Sequence, residues 1–541
     1  MYYLRRITIT VVSVVVLYFA VVALYRHLNP NTRKSAEERE DARWIATSEY
    51  WLDRQACRWL SICGLAHYHP DPAAISWGNQ KRTGKTQEPL VLDGDDYVKY
   101  IDWKDIAGGG NRLRPGDWDG DGRVLKDVPQ YVLDHAPLIH LYSKEQFWPS
   151  DMAEHLMHTA PYRHHTPMGM NNSQHTVYNL HELNEKESWR NLFMQSKNDV
   201  ETRPEWLGSA YNKPMPYDDD DGEGKKSETN QHTQFSAEKS PWYEKEPWYD
   251  PLGPNKPKKA EPLSSETFRA PEPLHRPSRL EIRSKRRRSP AVKYPSGYSP
   301  APVVLIMVDK GDGIVDAFWF YFYNYNLGTT VLNIRFGNHV GDWEHSLVRF
   351  HNGVPKAVFF SAHSGGLAYA YHAVEKGRGP GREGRPVLYS AYGSHAMYAT
   401  PGKHPYVLPF GLLADVTDKG PLWDPSLNYL AYHFNTSITH DQDARSLSTQ
   451  EMHDKLQPAA SNPLAPMGWF WYLGHWGDKF YELADLRQWR FAGQYHYVNG
   501  PLGPRFKNLG RSKVCQSRGS CTILESIAEG RKKSWVGRRK R

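Results

Sequence analysis

Cysteine is scarce: Cys57, Cys63, Cys515 and Cys521 are the only four in 541 residues. They form two pairs of identical spacing near opposite ends of the chain, and neither pair has the close CxxC spacing of a zinc or redox site. Disulfides formed in an oxidising lumen fit them better. The four allow three pairings, and buried free thiols are the alternative. A basic excess is also missing once position is considered. Residues 531–541 and 283–288 carry twelve positive charges, and without them the formal net charge of +8 becomes −4. The body therefore lacks the cationic surface that dominates nucleic-acid affinity, and no nucleic-acid partner is expected. There is no internal repeat at a fixed period and no long periodic helix among the candidate strands, which tells against a solenoid and a parallel βαβ sheet.

Aromatic residues are abundant instead. With 19 Trp and 33 Tyr, they make up 13% of the chain, and such residues favour strands and bury large areas. Low mean hydropathy implies that part of the chain never packs. Residues 7–24 run without a charge, just long enough at 1.5 Å per residue to span a hydrocarbon core of about 30 Å. A retained membrane helix is the reading, with signal-peptide cleavage near Val21-Val22-Ala23 as the alternative. Arg5 and Arg6 precede the segment while Arg26, Arg33, Lys34 and Arg39 follow it, so flanking charge leaves orientation open. The sequons at Asn171 and Asn435 fit a glycosylated, lumenal body.

The organisation follows from composition. Residues 1–28 read as a membrane anchor, and 29–131 as a stalk with a helical and loop region whose mixed periodicity at 44–65 predicts a helix pair. Residues 132–213 form the first part of a β domain, with a short helix at 152–157 capped by Ser150 or Asp151. Residues 214–299, rich in Pro, Glu, Lys and Ser, read as a disordered insertion, within which Lys285, Arg286, Arg287 and Arg288 form a basic run. The main β part covers 300–493, with strands expected at 303–308, 317–325, 330–336, 343–350, 357–363, 367–373 and 387–392. Residues 494–541 are a C-terminal extension with a basic tail. The fold class is mostly β: an antiparallel sandwich or jelly-roll-like domain with peripheral helices.

The densest polar constellation is Gly337-Asn338-His339-Val340-Gly341-Asp342-Trp343-Glu344-His345. On a strand Asp342 and Glu344 share one face while Trp343 and His345 share the other. Two side-by-side carboxylates repel, and a cation relieves the repulsion. His339, Asp342 and Glu344, with His363 and His395 at strand ends, are therefore candidate ligands for one divalent cation: magnesium, calcium, manganese or zinc. The alternative is that Asp342 caps a turn and Glu344 pairs with Arg335 or Arg349. A Ser beside a His in sequence, as at Ser394-His395, is no triad. Asp117, Asp119 and Asp121 open a calcium-type loop with Gly122 at its sharp turn, but Val128 stands at the twelfth position, where the bidentate Glu belongs.

Five segments together, 136–142, 148–150, the aromatic run 318–326, the Gly-Asp-Trp-Glu-His segment 341–345 and 391–395, resemble the vacuolar protein sorting-associated protein 62 family of fungi. The resemblance covers roughly residues 132–491 without the insertion. It implies a role in delivering proteins to the vacuole and brings no catalytic residues with it. A shorter resemblance, His339-x-x-Asp342-Trp343-Glu344, is to the necrosis- and ethylene-inducing proteins, in which such residues help bind a divalent cation on a β-sandwich that recognises membrane sphingolipid glycans. Here Asn338 and Val340-Gly341 depart from that pattern. The expectation is a single-pass secretory-pathway protein of the vacuole or endosome, not an enzyme, with vacuolar cargo or membrane glycans as partners. A metal-dependent glycan or lipid binder, or a metal-dependent hydrolase, is the alternative.

Overall fold

The computed structural model describes residues 36–70, 125–168, 175–188, 190–217, 295–331, 334–406, 413–436, 449–462, 465–517 and 519–532, with nine further positions among the first 28. Asp117, Asp119, Asp121, Asn171, the basic run at 285–288, most of the 214–299 insertion and most of the 7–24 segment lie outside the described residues. Among the described residues no helix is long and apolar enough to cross a membrane. The chain divides into two compact units: residues 1–86, 328–339 and 478–499 form the smaller, and residues 87–327, 340–477 and 500–541 the larger.

In the smaller unit the expected helix pair is present as Ala36–Thr47 and Trp51–Leu60. The Trp44 indole donates to Asp53 at 3.1 Å, and Asp41 pairs with Arg490. Strand Ile62–Cys63 adds to the hairpin of Arg490–Phe491 and Gln494–Tyr495. A disulfide ties Cys57 to Cys63. The strand expected at 330–336 is instead two short strands, Thr329–Val331 and Ile334–Phe336, paired antiparallel with each other, a reversal that periodicity alone does not reveal.

The larger unit is built on an eight-stranded sheet. Its spatial order is Leu456–Pro458, Tyr429–Phe434, Val303–Asp309, Ile314–Asn326, His339–His351, Val354–Ala362, Gly365–Ala370 and Ile523–Leu524. The long strands are apolar on both faces because both are covered. Phe318, Phe320 and Phe322 enter one core while Trp319, Tyr321 and Tyr323 enter the other. Val304, Ile306 and Val308 alternate with Val303, Leu305 and Met307 in the same way.

Over the second core lies a smaller sheet, ordered Met397–Tyr398, Val387–Ser390, Leu138–His140 and Leu422–Trp423, which contributes Ile139, Leu388, Met397 and Trp423. This is a sandwich of two sheets. Helices Met152–His158 and Gly468–Trp471 cover the opposite face. Asp151 is the N-cap of the first, accepting from the Ala153 amide at 2.8 Å.

The pairing is not wholly antiparallel. Tyr429–Phe434 runs parallel to Val303–Asp309, Ile523–Leu524 to Gly365–Ala370, and Val387–Ser390 to Leu138–His140. Each parallel pair joins segments far apart in the chain, whose long connections allow the same direction. Alternation along a strand is blind to direction. The C-terminal extension holds the second disulfide, Cys515 to Cys521, packed against the first core.

Candidate functional site

The site grows from the strand that carries Gly-Asp-Trp-Glu-His. Gly341 has φ +68°, and a Cβ placed there would lie 2.1 Å from the Trp476 carbonyl oxygen. Only glycine accepts both the left-handed backbone and that approach. Beyond it the side chains alternate as expected. Trp343 packs on Phe322 at 4.7 Å and His345 on Phe320 at 5.2 Å, both on the helix-covered face. Asp342, Glu344 and Ser346 turn to the interior of the sandwich, where the Tyr321 hydroxyl lies 2.7 Å from that of Ser346.

Asp342 meets His395. The His395 Nδ1 lies 3.0 Å from Asp342 Oδ2, and its Nε2 lies 3.0 Å from the Phe147 carbonyl oxygen. Both partners are acceptors, so the imidazolium, with two N–H donors, satisfies both contacts. Burial alone would lower the pKa of His395; the Asp342 hydrogen bond and the charges of Glu145 and Asp342 outweigh it and raise the group. Glu145, 3.9 Å from Nε2, accepts from the amides of Gln146, Phe147 and Gly393 at 2.8, 3.0 and 2.9 Å. Glu344 accepts from the Ser361 hydroxyl, which itself accepts from the His345 amide at 2.8 Å. Burial first, and repulsion from Asp342 second, push the Glu344 carboxyl up to about 7.

A second pair adjoins it. His363 Nε2 bonds Asp415 Oδ2 at 2.7 Å, and Asp415 also accepts from Ser394 at 2.8 Å and Tyr398 at 2.6 Å. Against burial, which works the other way on each, the pair's attraction raises His363 and lowers Asp415. His363 and His395 both sit in the left-handed region, at φ 54° and 53°, where a non-glycine residue is uncommon and strain concentrates at functional positions. The Ser394 hydroxyl donates to the Asp415 carboxylate, which fixes its position.

The structure thus gathers Asp342, Glu344, His363 and His395 in the larger unit. His339 begins the same strand, half-buried, and belongs to the smaller unit. Neither arginine suggested for Glu344 pairs with it: Arg349 takes both oxygens of Asp316, at 2.6 and 2.7 Å, and Arg335 donates to the Gly328 carbonyl. Among the described residues, the group of three His, Cys, Asp or Glu side chains whose donor atoms converge is Asp41, Cys57 and Cys63. Its two sulfurs are already joined. Asn435 is exposed just beyond strand Tyr429–Phe434. Glu145, Ser361 and Asp415 complete the cluster and escaped the sequence reading. Glu145 stands in the polar run 143–146 and Asp415 close to Thr417, Asp418 and Lys419, where neither differs from an ordinary loop carboxylate, and Ser361 gave no sign of facing Glu344.

Over residues 311–430, a span that contains Asp342, Glu344, His363, His395 and Asp415, the chain matches the family described as vacuolar protein sorting-associated protein 62. Vacuolar protein sorting-associated protein 62 of Saccharomyces cerevisiae is 33% identical over 439 residues, 76% of this chain and 73% of that protein. The chain belongs to this family. A second member from the same yeast, TDA6, whose name assigns it provisionally to vacuolar protein sorting, is 34% identical over 436 residues, 74% of this chain and 72% of that protein. A solved structure, that of the non-toxic HaNLP3 protein, aligns at 13% identity with a TM-score of 0.15, covering 27% of this chain and 55% of that one. That likeness carries no argument.

Proposed function

We propose that this family member serves protein delivery to the vacuole from a membrane-tethered, lumenal position, and that its sandwich takes its ligand at the Asp342, Glu344 and His395 cluster. The observation that carries the reading is similarity to the yeast vacuolar protein sorting-associated protein 62 over about three quarters of each chain. The two disulfides and the exposed sequon at Asn435 support a lumenal body; the charge-free segment 7–24 supports the tether. Deleting the gene in its native cell should misroute soluble vacuolar hydrolases, and the wild-type chain should restore them. Normal hydrolase delivery in the deletion strain would overturn the reading. Endoglycosidase-sensitive mass at Asn435, lost in Asn435→Gln, tests the lumenal side.

A second reading, a divalent-cation site, rests on Glu344 being driven up in part by Asp342 on the same strand face. The ring nitrogens of His395 and the Nε2 of His363 are engaged, so Asp342 and Glu344 would supply the binding, and oxygen donors suit magnesium or calcium. A glycan or lipid headgroup would then meet the protein through the cation. Added calcium or magnesium should raise the melting temperature of the wild type, and Asp342→Asn or Glu344→Gln should abolish the rise. Equal responses in all three proteins would remove this reading and leave the sorting role standing.

A further inference from the structure

Residues 504–514 close the helix-covered face of the central sheet and carry positive charge into the packed interior. Arg511 is 5% exposed, with its guanidinium carbon 4.9 Å from the Phe318 ring centre and 5.1 Å from that of Phe359. Its Nη1 donates to the Lys507 carbonyl at 2.8 Å, but Nε and Nη2 are buried without a partner. Those two atoms form the edge of the guanidinium fork that grips a carboxylate or phosphate with two parallel hydrogen bonds. His345, fully buried on the same sheet face, also lacks a partner for either ring nitrogen.

Around Asp316 three cations share one carboxylate, while Lys507 also acts on Glu344. Lys310, Arg349 and Arg511 all interact with Asp316, and Arg349 occupies both of its oxygens. Lys310 donates to the Leu509 carbonyl at 2.6 Å. Burial first, with repulsion from neighbouring arginines added, brings Lys310 down to about 8 and Arg511 to about 10 in spite of Asp316. Lys507 and Arg511 also act on His345, which burial above all holds well below the ordinary histidine range. Positive charge withdrawn from water is costly until a counter-charge joins it.

We propose that the free Nε and Nη2 edge of Arg511, with Lys310 and Lys507 beside it, binds a small oxoanion of the phosphate type against the Phe318 and Phe359 floor. Lys310 and Lys507 are half-buried, so each side chain joins the buried guanidinium to the solvent side of the segment. The bound anion would pin residues 504–514 to the sheet, making this closure responsive to the anion.

Equilibrium dialysis of the full chain against labelled inorganic phosphate tests it, with sulfate, acetate and chloride at matched ionic strength as competitors. Saturable binding of one phosphate per chain is expected, displaced by sulfate and not by chloride; displacement by acetate at similar concentration would identify a carboxylate as the better ligand of the same edge. Arg511→Lys keeps the charge but loses the fork, and should bind roughly ten-fold more weakly. Should that variant not fold, Lys507→Met, at a half-buried position, should still weaken binding about three-fold. No saturable binding to the wild type, or undiminished affinity in the variants, would overturn the proposal and leave Arg511 held by its contacts with the two rings.

Discussion

The imidazole of His395 lies flat on the ring of Tyr323, centroids 3.7 Å apart and planes 1° from parallel. Tyr323 belongs to strand Ile314–Asn326 and His395 to the turn after strand Val387–Ser390, so one contact fastens the two sheets of the sandwich at the polar cluster. The ring of His395 is thereby fixed at its face by Tyr323 and at its edges by Asp342 and the Phe147 carbonyl. A cationic imidazole on an aromatic face gains further from the ring's negative potential.

Tyr323→Phe keeps the face and should leave stability within about 1 kcal/mol, whereas Tyr323→Leu loses stacking and volume together and should cost roughly 3 kcal/mol. Urea unfolding of both variants checks this. Equal midpoints for the two would show that the stack contributes nothing.

Gly341 sets where the acidic face begins. Alanine there would carry a side chain at φ +68° and a Cβ 2.1 Å from the Trp476 carbonyl oxygen, so the backbone must move. A loss of about 2 kcal/mol or more is expected for Gly341→Ala, together with a shift in the His395 ring resonances, because Asp342 is displaced with it. Unchanged stability and an unchanged His395 spectrum would show that the strand accommodates the methyl group.

Each disulfide joins cysteines six positions apart. Loops this short remove little unfolded-state entropy, and replacing either pair by serine should cost roughly 2 kcal/mol. The Cys515 and Cys521 pair packs against the first core of the larger unit, and the Cys57 and Cys63 pair sits in the core of the smaller. Thermal unfolding should therefore report the two losses in different transitions wherever the units melt separately. Thiol labelling of the unfolded, unreduced protein should find no free cysteine.

What the sequence revealed follows the reach of local pattern. Aromatic and β-branched runs at residues 317–325 and 343–350 located the central strands, and the two-residue period of a strand put Asp342 and Glu344 on one face, since that period is set by its own backbone. The family resemblance rested on motifs that fall on this framework. Direction of pairing was not legible, because Val303–Asp309 meets Tyr429–Phe434 across more than a hundred residues. For the same reason nothing near Asp415 announced that it would hold His363, nothing near Glu145 that it would face His395, and nothing near Arg511 that it would arrive over Phe318. Charge partners are chosen by tertiary packing. The arginine nearest in sequence to Glu344 found Asp316 instead.

Acid sensitivity should trace to His155. Its ring is fully buried, with Nδ1 3.0 Å from Asn324 Oδ1 and Nε2 2.9 Å from the Trp476 carbonyl oxygen. The Asn324 amide nitrogen is committed to the Trp206 carbonyl at 2.6 Å and Ser209 at 2.9 Å, so both faces toward His155 are acceptors. Protonation would satisfy both but would place a charge among the rings of Trp206, Phe322 and Trp476. Burial prevails and lowers the group to about 4. The unfolded chain then binds a proton that the folded chain refuses between about 6.5 and 4, so the stability this group permits is complete above pH 6.5 and falls as pH drops through that window. For a fully buried group the loss by pH 4.5 is roughly 2 to 3 kcal/mol. Its neighbour Glu154 acts with the opposite sign, because burial pushes its carboxyl up to about 7 and folding is favoured as pH falls toward 4.5. His158, also lowered to about 4, by burial first, adds to the His155 slope. In a Glu154→Gln background, urea unfolding between pH 6.5 and 4.5 should show that adding His155→Gln makes the acid-side loss of stability shallower, with His345 and Glu344, shifted in opposite directions, common to both proteins. A slope that stays the same after His155 is replaced would assign the acid sensitivity to His158 or to another group altogether.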